Sequence, residues 1–580
     1  MASIYDKASL VLIPSGTKTS KVYSQKPTNG DGDFTFSRST AATRVNASGN
    51  IEKETQNLIT YSNDFSQTPW LKYLISLTSG QSGYDGTSNA WLIEKSGAYG
   101  NVYRNISNSG VYVWSVYAKA GSFDFLALRF RNTSNQYRTA FFDLSTGTLG
   151  SVDSNIIKHT IEDVGGGWYR CQITFNDPAI NQVMIYPSDA NNGIANAGTG
   201  NIYIQDAQLE QGLVARDYIE TTTTAIYGGI TDNVPRLDYT DSSCPALLLE
   251  PQRTNIVPQS EYLGGWSAIN CSVTANSITS PEGVTNSFKI TENSAASTQH
   301  RVAIGVSSTS AIHTMSAYVK NSSGSRMAYI DMGPVTGHFN FATETMYSPQ
   351  GTANWEDAGN GWYRISITSN TAVTPVTAFA GLSVNNSETY SGDGSSAIEF
   401  YGIQLEAGSY ATSYIPTYGS AVTRNGDMAE IIPLSTNIID TSLAHSGFIE
   451  INANSIGVLG YQVWGIDDGS YNNFIKLYIH PSSKNLRLAF KDSAGILRYG
   501  DYGASGQYSK FAWTYDGVGQ FKIFVNGSLT NTYGVSINSF SRFGYGEKAG
   551  DLNYTNTSTK QILLFPTALT DQEAIDLTTL

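Results

Sequence analysis

The sequence predicts an all-β protein of several domains: tandem β-sandwich (jelly-roll) repeats followed by a third sandwich. Three observations predict it. At 580 residues the chain is too long for a single hydrophobic core and falls in the range of three or four domains. Only 14% of its residues are charged, while 55 glycines and 36 tyrosines stand among many Ser, Thr and Asn, a profile of short strands joined by turns. Six blocks of sequence occur twice in the same order, which marks one domain present in two copies.

Residues 1–55 form the first unit. The opening "MASIYDKASLVLIPSG" has an apolar run of about five residues from Leu10 and no basic leader, so neither a secretory signal peptide nor a membrane-spanning segment is expected, and the chain is expected to fold in a reducing cytoplasm. Turn dipeptides at Asn29-Gly30 and Asp31-Gly32 precede short strand-like pieces. Asp31 and Asp33 could hold calcium, and a surface hairpin accounts for "NGDGD" equally well, since no full EF-hand loop is present. A segment this short and turn-rich cannot bury a core alone, so it is expected to lean on partner surface as an assembly segment.

Residues 56–225 and 251–425 are the two repeats. "QNLITYSNDFSQTPW" from 56 matches "RTNIVPQSEYLGGW", aligning Asn57, Ser62 and Trp70 with Asn255, Ser260 and Trp266. "DGTSNAWLI", "WSVYAKAGS" and "FFDLSTGT" then match "EGVTNSFKI", "MSAYVKNSS" and "HFNFATET". "GGGWYR" at 165 matches "GNGWYR" at 359, and "IYIQDAQLEQG" matches "IEFYGIQLEAG", each followed by a Tyr-Ile pair at Tyr218 or Tyr414. The spacing between partners runs from 194 residues (165 to 359) to 201 (114 to 315), the signature of variable loops on a fixed scaffold. "VYVWSVYAKA" carries bulk on both faces, as a strand in a sandwich core does, and "WYRCQITF" and "WYRISITS" are aromatic and β-branched after a glycine turn. Trp168 and Trp362 could be sugar-stacking platforms, but their place at a strand start favours a structural role, with Arg170 or Arg364 lying over the ring. Gln208 and Gln404 alternate with apolar neighbours and read as buried amides meeting backbone groups. Cys171, Cys244 and Cys271 are odd in number and irregular in spacing, which fits small buried apolar residues rather than a disulfide framework.

Residues 226–250 link the repeats through two prolines and the apolar run Leu247–Leu249, expected to pack against a domain. "ATRVN" at 42 recurs as "VTRNG" at 422, and both read as connectors. From 426 to 580 the pieces "SGFIEINAN", "NFIKLYIHP", "NLRLAFKDS", "SKFAWTYDGVGQFKIFVNGSL" and "KQILLFPTAL" are strand candidates, with hairpin turns at Asp516-Gly517 and Asn526-Gly527. Thr570 and Glu573 make a capping box for a short terminal helix.

Charge and motifs exclude several functions. A net charge of −13 without a Lys/Arg cluster argues against nucleic acid. There is no G-x-S-x-G, no H-E-x-x-H and no phosphate loop, and the six histidines are scattered. A glycosidase needs two carboxylates that are neighbours only in space, yet the repeats share a single acidic position, Glu210 with Glu406, beside a turn.

The opening "SLVLIPSGTKTSKVYSQKPTNGDGDFTFSRSTAATRVN", the join "LLLEPQRTNIV" and the two copies ending in "QLE.G...YI" resemble virion fibre proteins of tailed bacteriophages, of the head-fibre or head-spike type found among crAss-like phages. The repeats resemble carbohydrate-binding modules of the family 4/9 jelly-roll kind, and "FAWTYDGVGQFKIFVNGSL" with "LLFPTALTDQEAIDL" resembles a concanavalin-like, laminin-G-type sandwich. The resemblance implies a virion-surface location, a homotrimer, contacts with capsid proteins through the N-terminal segment, and host or environmental glycans as ligands. It brings no catalytic residues. A structural fibre or capsid decoration without sugar affinity, and a polysaccharide depolymerase, are the alternatives.

One stretch has the composition of a sugar site. "YQVWGIDDGSYNNFIKLYIH" places Tyr461, Trp464 and Tyr471 around Asp467, Asp468, Asn472 and Asn473 in a turn between strand-like runs. Sugar rings stack on aromatic planes while their hydroxyls take amide and carboxylate partners. The competing reading is that Trp464 fills the core and Asp-Asp-Gly makes an ordinary hairpin.

Overall fold

The computed structural model describes residues 3–454, 462–469, 473–480, 485–504, 508–545 and 556–579. Nearly all of its regular structure is antiparallel β, arranged as three sandwiches, with α-helices only at Ile4–Lys7 and Asp571–Thr578 and short 3-10 turns at Gly193–Ala195 and Leu263–Gly265 among the described residues. The second helix is capped as its sequence requires: the Thr570 side chain accepts from the Glu573 N–H, and Glu573 accepts in turn from the Thr570 N–H.

The second repeat is built from two six-stranded sheets. One holds Ser267–Ile269, His300–Gly305, Thr377–Ser383, Met327–Asp331, Thr336–Asn340 and Thr345–Tyr347. The other holds Cys271–Ala275, Phe288–Glu292, Ala397–Ala407, His313–Ser323, Tyr363–Ser369 and Gly351–Asp357. In the first repeat the corresponding strands run without a break. Asn101–Ala120 does the work of His300–Gly305 and His313–Ser323, and Trp168–Ser188 that of Tyr363–Ser369 and Thr377–Ser383, so one ten-stranded sheet continues through both layers. The register shifts between Asn105 and Gly110 are where this long strand bends from one layer to the other.

The third sandwich is assembled from the whole length of the chain. Leu10–Leu12 and Ala246–Leu249 lie end to end along Asn556–Phe565, with Leu10 opposite Leu564 and Leu249 opposite Thr557. In the opposing sheet, Phe34–Ser37 pairs with Met428–Ile431, which pairs with Arg542–Tyr545. Leu10, Leu12, Val22, Phe34, Phe36, Leu247 and Leu249 share one core with Trp464 and Trp513. The expectation of a separate segment at 1–55 is therefore corrected, while the run Leu247–Leu249 of the connection at 226–250 packs against a domain as expected. Strands of two to four residues cannot close their own ladders, and the unpaired edges of residues 428–565 supply the partners. The surface this segment leans on belongs to its own chain.

A fully buried ionic cluster fastens these pieces. Arg38 pairs with Asp427 at 2.9 Å, Arg236 with Glu250 at 2.6 Å and with Asp427, and Arg424 with Glu250. Burial alone would raise the Glu250 carboxyl, but Arg424 and Arg236 outweigh it and hold it well below its ordinary range. These five residues come from the N-terminal segment, the inter-repeat connection and the chain around the end of the second repeat. The recurring "ATRVN" and "VTRNG" stretches sit beside it, through the Thr43 carbonyl and Arg424.

Candidate functional site

Among the described residues of the stretch singled out in the third sandwich, Trp464 is not an exposed aromatic platform. Trp464 is fully buried, edge-on to Phe34 at 5.5 Å, 5.5 Å from Phe543 and 5.9 Å from Tyr545, and its indole Nε1 donates to Thr559 Oγ1 at 2.9 Å. Its position as the inward residue of Gln462–Asp467 fixes this. Asp467 is buried, accepts from the Gly469 N–H at 2.9 Å and lies 3.6 Å from Arg542. Asp468 is exposed and accepts from Asn473 at 2.6 Å. The reading in which Trp464 is core and Asp-Asp-Gly a hairpin is the one that fits; Tyr461, Tyr471 and Asn472 lie outside the described residues. Near the N-terminus, Asp33 is engaged by Lys21 at 3.2 Å and the Ser24 N–H at 3.0 Å, and Asp31 by Asn29 at 2.8 Å.

The repeated tryptophans are structural. Trp168 and Trp362 are both buried at equivalent strand starts. Arg170 and Arg364 lie over Tyr117 and Tyr318, at 5.3 and 5.4 Å from the ring centres, rather than over the tryptophans as expected. Each arginine also donates to a backbone carbonyl, of Arg216 or Thr412, which turns it toward the neighbouring strand. Gln208 and Gln404 are buried amides, accepting from the Ile219 and Ile415 N–H groups and donating to Glu210 and Glu406 at 2.7 Å in both repeats. Glu210, raised to about 7 by burial, and Glu406 are thus tied inside their own repeats. Of the cysteines, Cys171 is buried, Cys271 partly so and Cys244 exposed. Seven of the nine tryptophans are buried, and Trp355, at 37% exposure, is the most open.

A concave feature lies where the repeats meet. Gly110, with φ of +107°, brings the first repeat against Tyr418 of the second: the Val111 N–H donates to the Tyr418 carbonyl at 3.2 Å, and a Cβ on Gly110 would fall 2.0 Å from that oxygen. Val111 and Leu213 pack into the same core as Val257 and Trp266, so the junction is fixed by apolar contact. Below it lies a buried ionic group. Lys53 reaches Glu261 and Glu282 at 3.0 Å each and Tyr418 Oη at 2.6 Å, and Arg216 pairs with Glu282. Burial would raise the Glu282 carboxyl, but Lys53 and Arg216 together hold it below its usual range.

Above this group the junction leaves a cavity of about 530 Å³. Its walls come from the strand Thr55–Asn57, the bend at Ser109-Gly110, the end of the first repeat and residues 414–424. Gln56, Asn176, Gln211 and Gln259 line it, and none of these four side-chain amides has a hydrogen-bond partner among the described residues; Gln259 Oε1 is fully enclosed. Tyr418, Ile415 and Pro416 add apolar surface. Glu54 joins the cavity to a second, more open one of about 440 Å³, bounded by Tyr227, Thr231 and Asp232. Burial, and then the nearby Asp232, raise the Glu54 carboxyl above its ordinary value. Free amides, hydroxyls at Ser109 and Ser420 and tyrosine rings in a concave site at a domain junction can hold a neutral, hydroxyl-rich molecule. Sequence reasoning missed this site. The residues come from seven separate stretches of the chain, and no local motif joins them.

No family model matches the chain, and no curated protein matches it. Among solved structures it is similar in part to the receptor-binding domain of botulinum neurotoxin C/D mosaic serotype (14% identity, TM-score 0.23, over 26% of this chain and 40% of that one). It is likewise similar to the CBM40 module of the Ruminococcus gnavus IT-sialidase bound to α2,3-sialyllactose (17% identity, TM-score 0.21, over 24% of this chain and 83% of that one). The binding domain of Paraclostridial mosquitocidal protein 1 matches at 11% identity and a TM-score of 0.22, over 26% of this chain and 43% of that one. This chain spans about two fifths of the neurotoxin and mosquitocidal domains. The neighbours thus include carbohydrate-binding modules, and overlaps of this size carry no argument about what this chain binds.

Proposed function

We propose that this chain is a non-catalytic glycan-binding protein of a tailed-phage virion surface, assembled as a homotrimer. The virion location and the trimer rest on the sequence resemblance. Glycan binding rests on one observation, the junction cavity in which four side-chain amides without a protein partner among the described residues stand beside tyrosine rings, with Gln259 Oε1 fully enclosed. An enclosed amide oxygen without a partner, as Gln259 Oε1 is, costs on the order of 1–3 kcal/mol, which a ligand hydroxyl can recover. A glycan array probed with wild type and with Asn176→Ala/Gln211→Ala tests it. The reading requires wild-type binding that falls by about tenfold or more in the variant, with an unchanged melting temperature because neither side chain holds the fold. Wild-type binding that the variant retains would move the site elsewhere.

The burial of seven tryptophans favours a second reading, a structural decoration without sugar affinity. A wild type that binds nothing on the array would select it. Light scattering that gives a monomer at micromolar concentration would remove the trimer.

A further inference from the structure

The charges around the junction cavity narrow its ligand. Two cations touch it, Lys53 and Arg424, and both are spent inside the fold. Lys53 is enclosed by Glu261, Glu282 and Tyr418. Arg424 pairs with Glu250 and donates to Ser413 at 2.7 Å and the Pro251 carbonyl at 2.7 Å. The carboxylates are placed differently. Glu54 stands on the wall common to both cavities, and Asp232 lines the outer one. Neither has an ion-pair partner among the described residues, and the Glu54 side chain accepts no hydrogen bond there. Two uncompensated negative groups therefore face the path from solvent to the inner amides. Tyr227, 51% exposed, offers a flat ring beside them.

From this we infer that the cavity takes a saccharide bearing a free amino group, its ammonium set against Glu54 and Asp232 and its hydroxyls on the amides of Gln56, Asn176, Gln211 and Gln259. The inference rests on the saccharide reading above. An ammonium gains from a partly desolvated carboxylate pair what a neutral sugar cannot, while a uronate or other acidic sugar meets like charge. The site thus discriminates by charge as well as by shape.

Calorimetric titration of the full chain with three oligosaccharides of equal length tests it: a glucosamine tetramer with free amines, its fully N-acetylated form and a uronate tetramer, at a pH where the amines are charged. The free-amine tetramer should bind at least about tenfold more tightly than the acetylated one, the uronate should not bind, and the preference should shrink with added salt. Glu54→Gln should abolish the preference between the amine and acetylated forms without lowering the melting temperature, whereas Gln211→Ala should weaken both neutral and amine forms. Equal binding of the amine and acetylated tetramers to wild type, or uronate binding as tight as either, overturns the charge assignment and leaves the saccharide reading standing. Binding of none of the three overturns the assignment together with that reading.

Discussion

The two repeats share their internal fastenings and differ on the outer face of one sheet. Asn57 donates to the Ala207 and Ile219 carbonyls and accepts from Ile59 and Leu209, and Asn255 makes the same four bonds with Ile403, Ile415, Val257 and Leu405. Ser62 meets Tyr218 at 2.6 Å, and Ser260 meets Tyr414 at 2.7 Å. On the outer face the same ladder positions carry opposite chemistry. In the first repeat Phe141, Ala127 and Tyr186 form a cross-strand row, covered by Ile194 and joined by Met184 in an apolar cluster. The matching row in the second is His338, Tyr329 and Gly381. The bulky tyrosine has moved from the flank to the centre, and the small residue from the centre to the flank. One position along, Arg129 faces Met184, while Asp331 faces Phe379 with Arg301 stacked 3.9 Å over that ring. Residues facing the core of a sandwich are fixed by packing against a second sheet, whereas the outer face answers only to its own neighbours and can be rewritten row by row.

The shared fastenings should carry the largest effects. Asn57→Ala and Asn255→Ala each strip four buried hydrogen bonds and should each cost about 3–5 kcal/mol, equal between repeats within about 1 kcal/mol, by denaturant unfolding. A loss confined to one repeat would break the equivalence. Next comes the volume exchange. Ala127→Tyr overfills the first repeat's row and should cost about 1–3 kcal/mol, and adding Tyr186→Ala should recover part of it through a coupling of at least about 0.5 kcal/mol. Strict additivity of the two changes would show that the rows do not trade volume.

The third test separates the faces by pH. Burial raises the Asp331 carboxyl to about 6, so the folded repeat holds a proton there more tightly than the unfolded chain does. The ionised form then costs stability above pH 6, and the cost disappears as the pH falls toward the unfolded value near 4. Asp331→Asn should therefore stabilise by about 1–3 kcal/mol at pH 7.5, with the gain gone by about pH 4. His338, held down to about 4 by burial, acts in the opposite sense, losing stability as the pH falls from about 6.5 to 4, and it does so in both proteins, so the difference curve isolates Asp331. A pH-independent gain would overturn this. The smallest effects belong to Lys119 and Lys320, which donate to the turn carbonyls of Gly166 and Asn360 at 2.8 and 2.7 Å on the surface. Replacing either by Ala should cost no more than about 0.5 kcal/mol in a melting experiment.

Much of the scaffold is legible in the sequence because its signals are local. Trp168 and Trp362 follow a glycine turn at a strand start, and Gln208 and Gln404 alternate with apolar residues; both patterns state burial correctly. Trp464 has the same inward position, yet the polar residues around it resemble a sugar site in composition. Composition does not record which face a side chain takes, and the packing against Phe34, more than four hundred residues away, decides it.

What the sequence by itself determined is the repeat, the strand periodicity, the buried tryptophans and the terminal capping box, all of which follow from backbone sterics and the burial of alternate residues within a few positions. Only the tertiary structure decided that residues 10–37 and 236–249 complete the third sandwich, and that Gln56, Asn176, Gln211 and Gln259 meet around one cavity beside Glu54. The physical reason is that a strand's own pattern specifies which of its faces is buried but not which edge completes its hydrogen bonds. That choice, Leu10 beside Leu564 and Gly110 beside Tyr418, is made by the unpaired backbone groups and apolar edges left when the distant parts of the chain have folded.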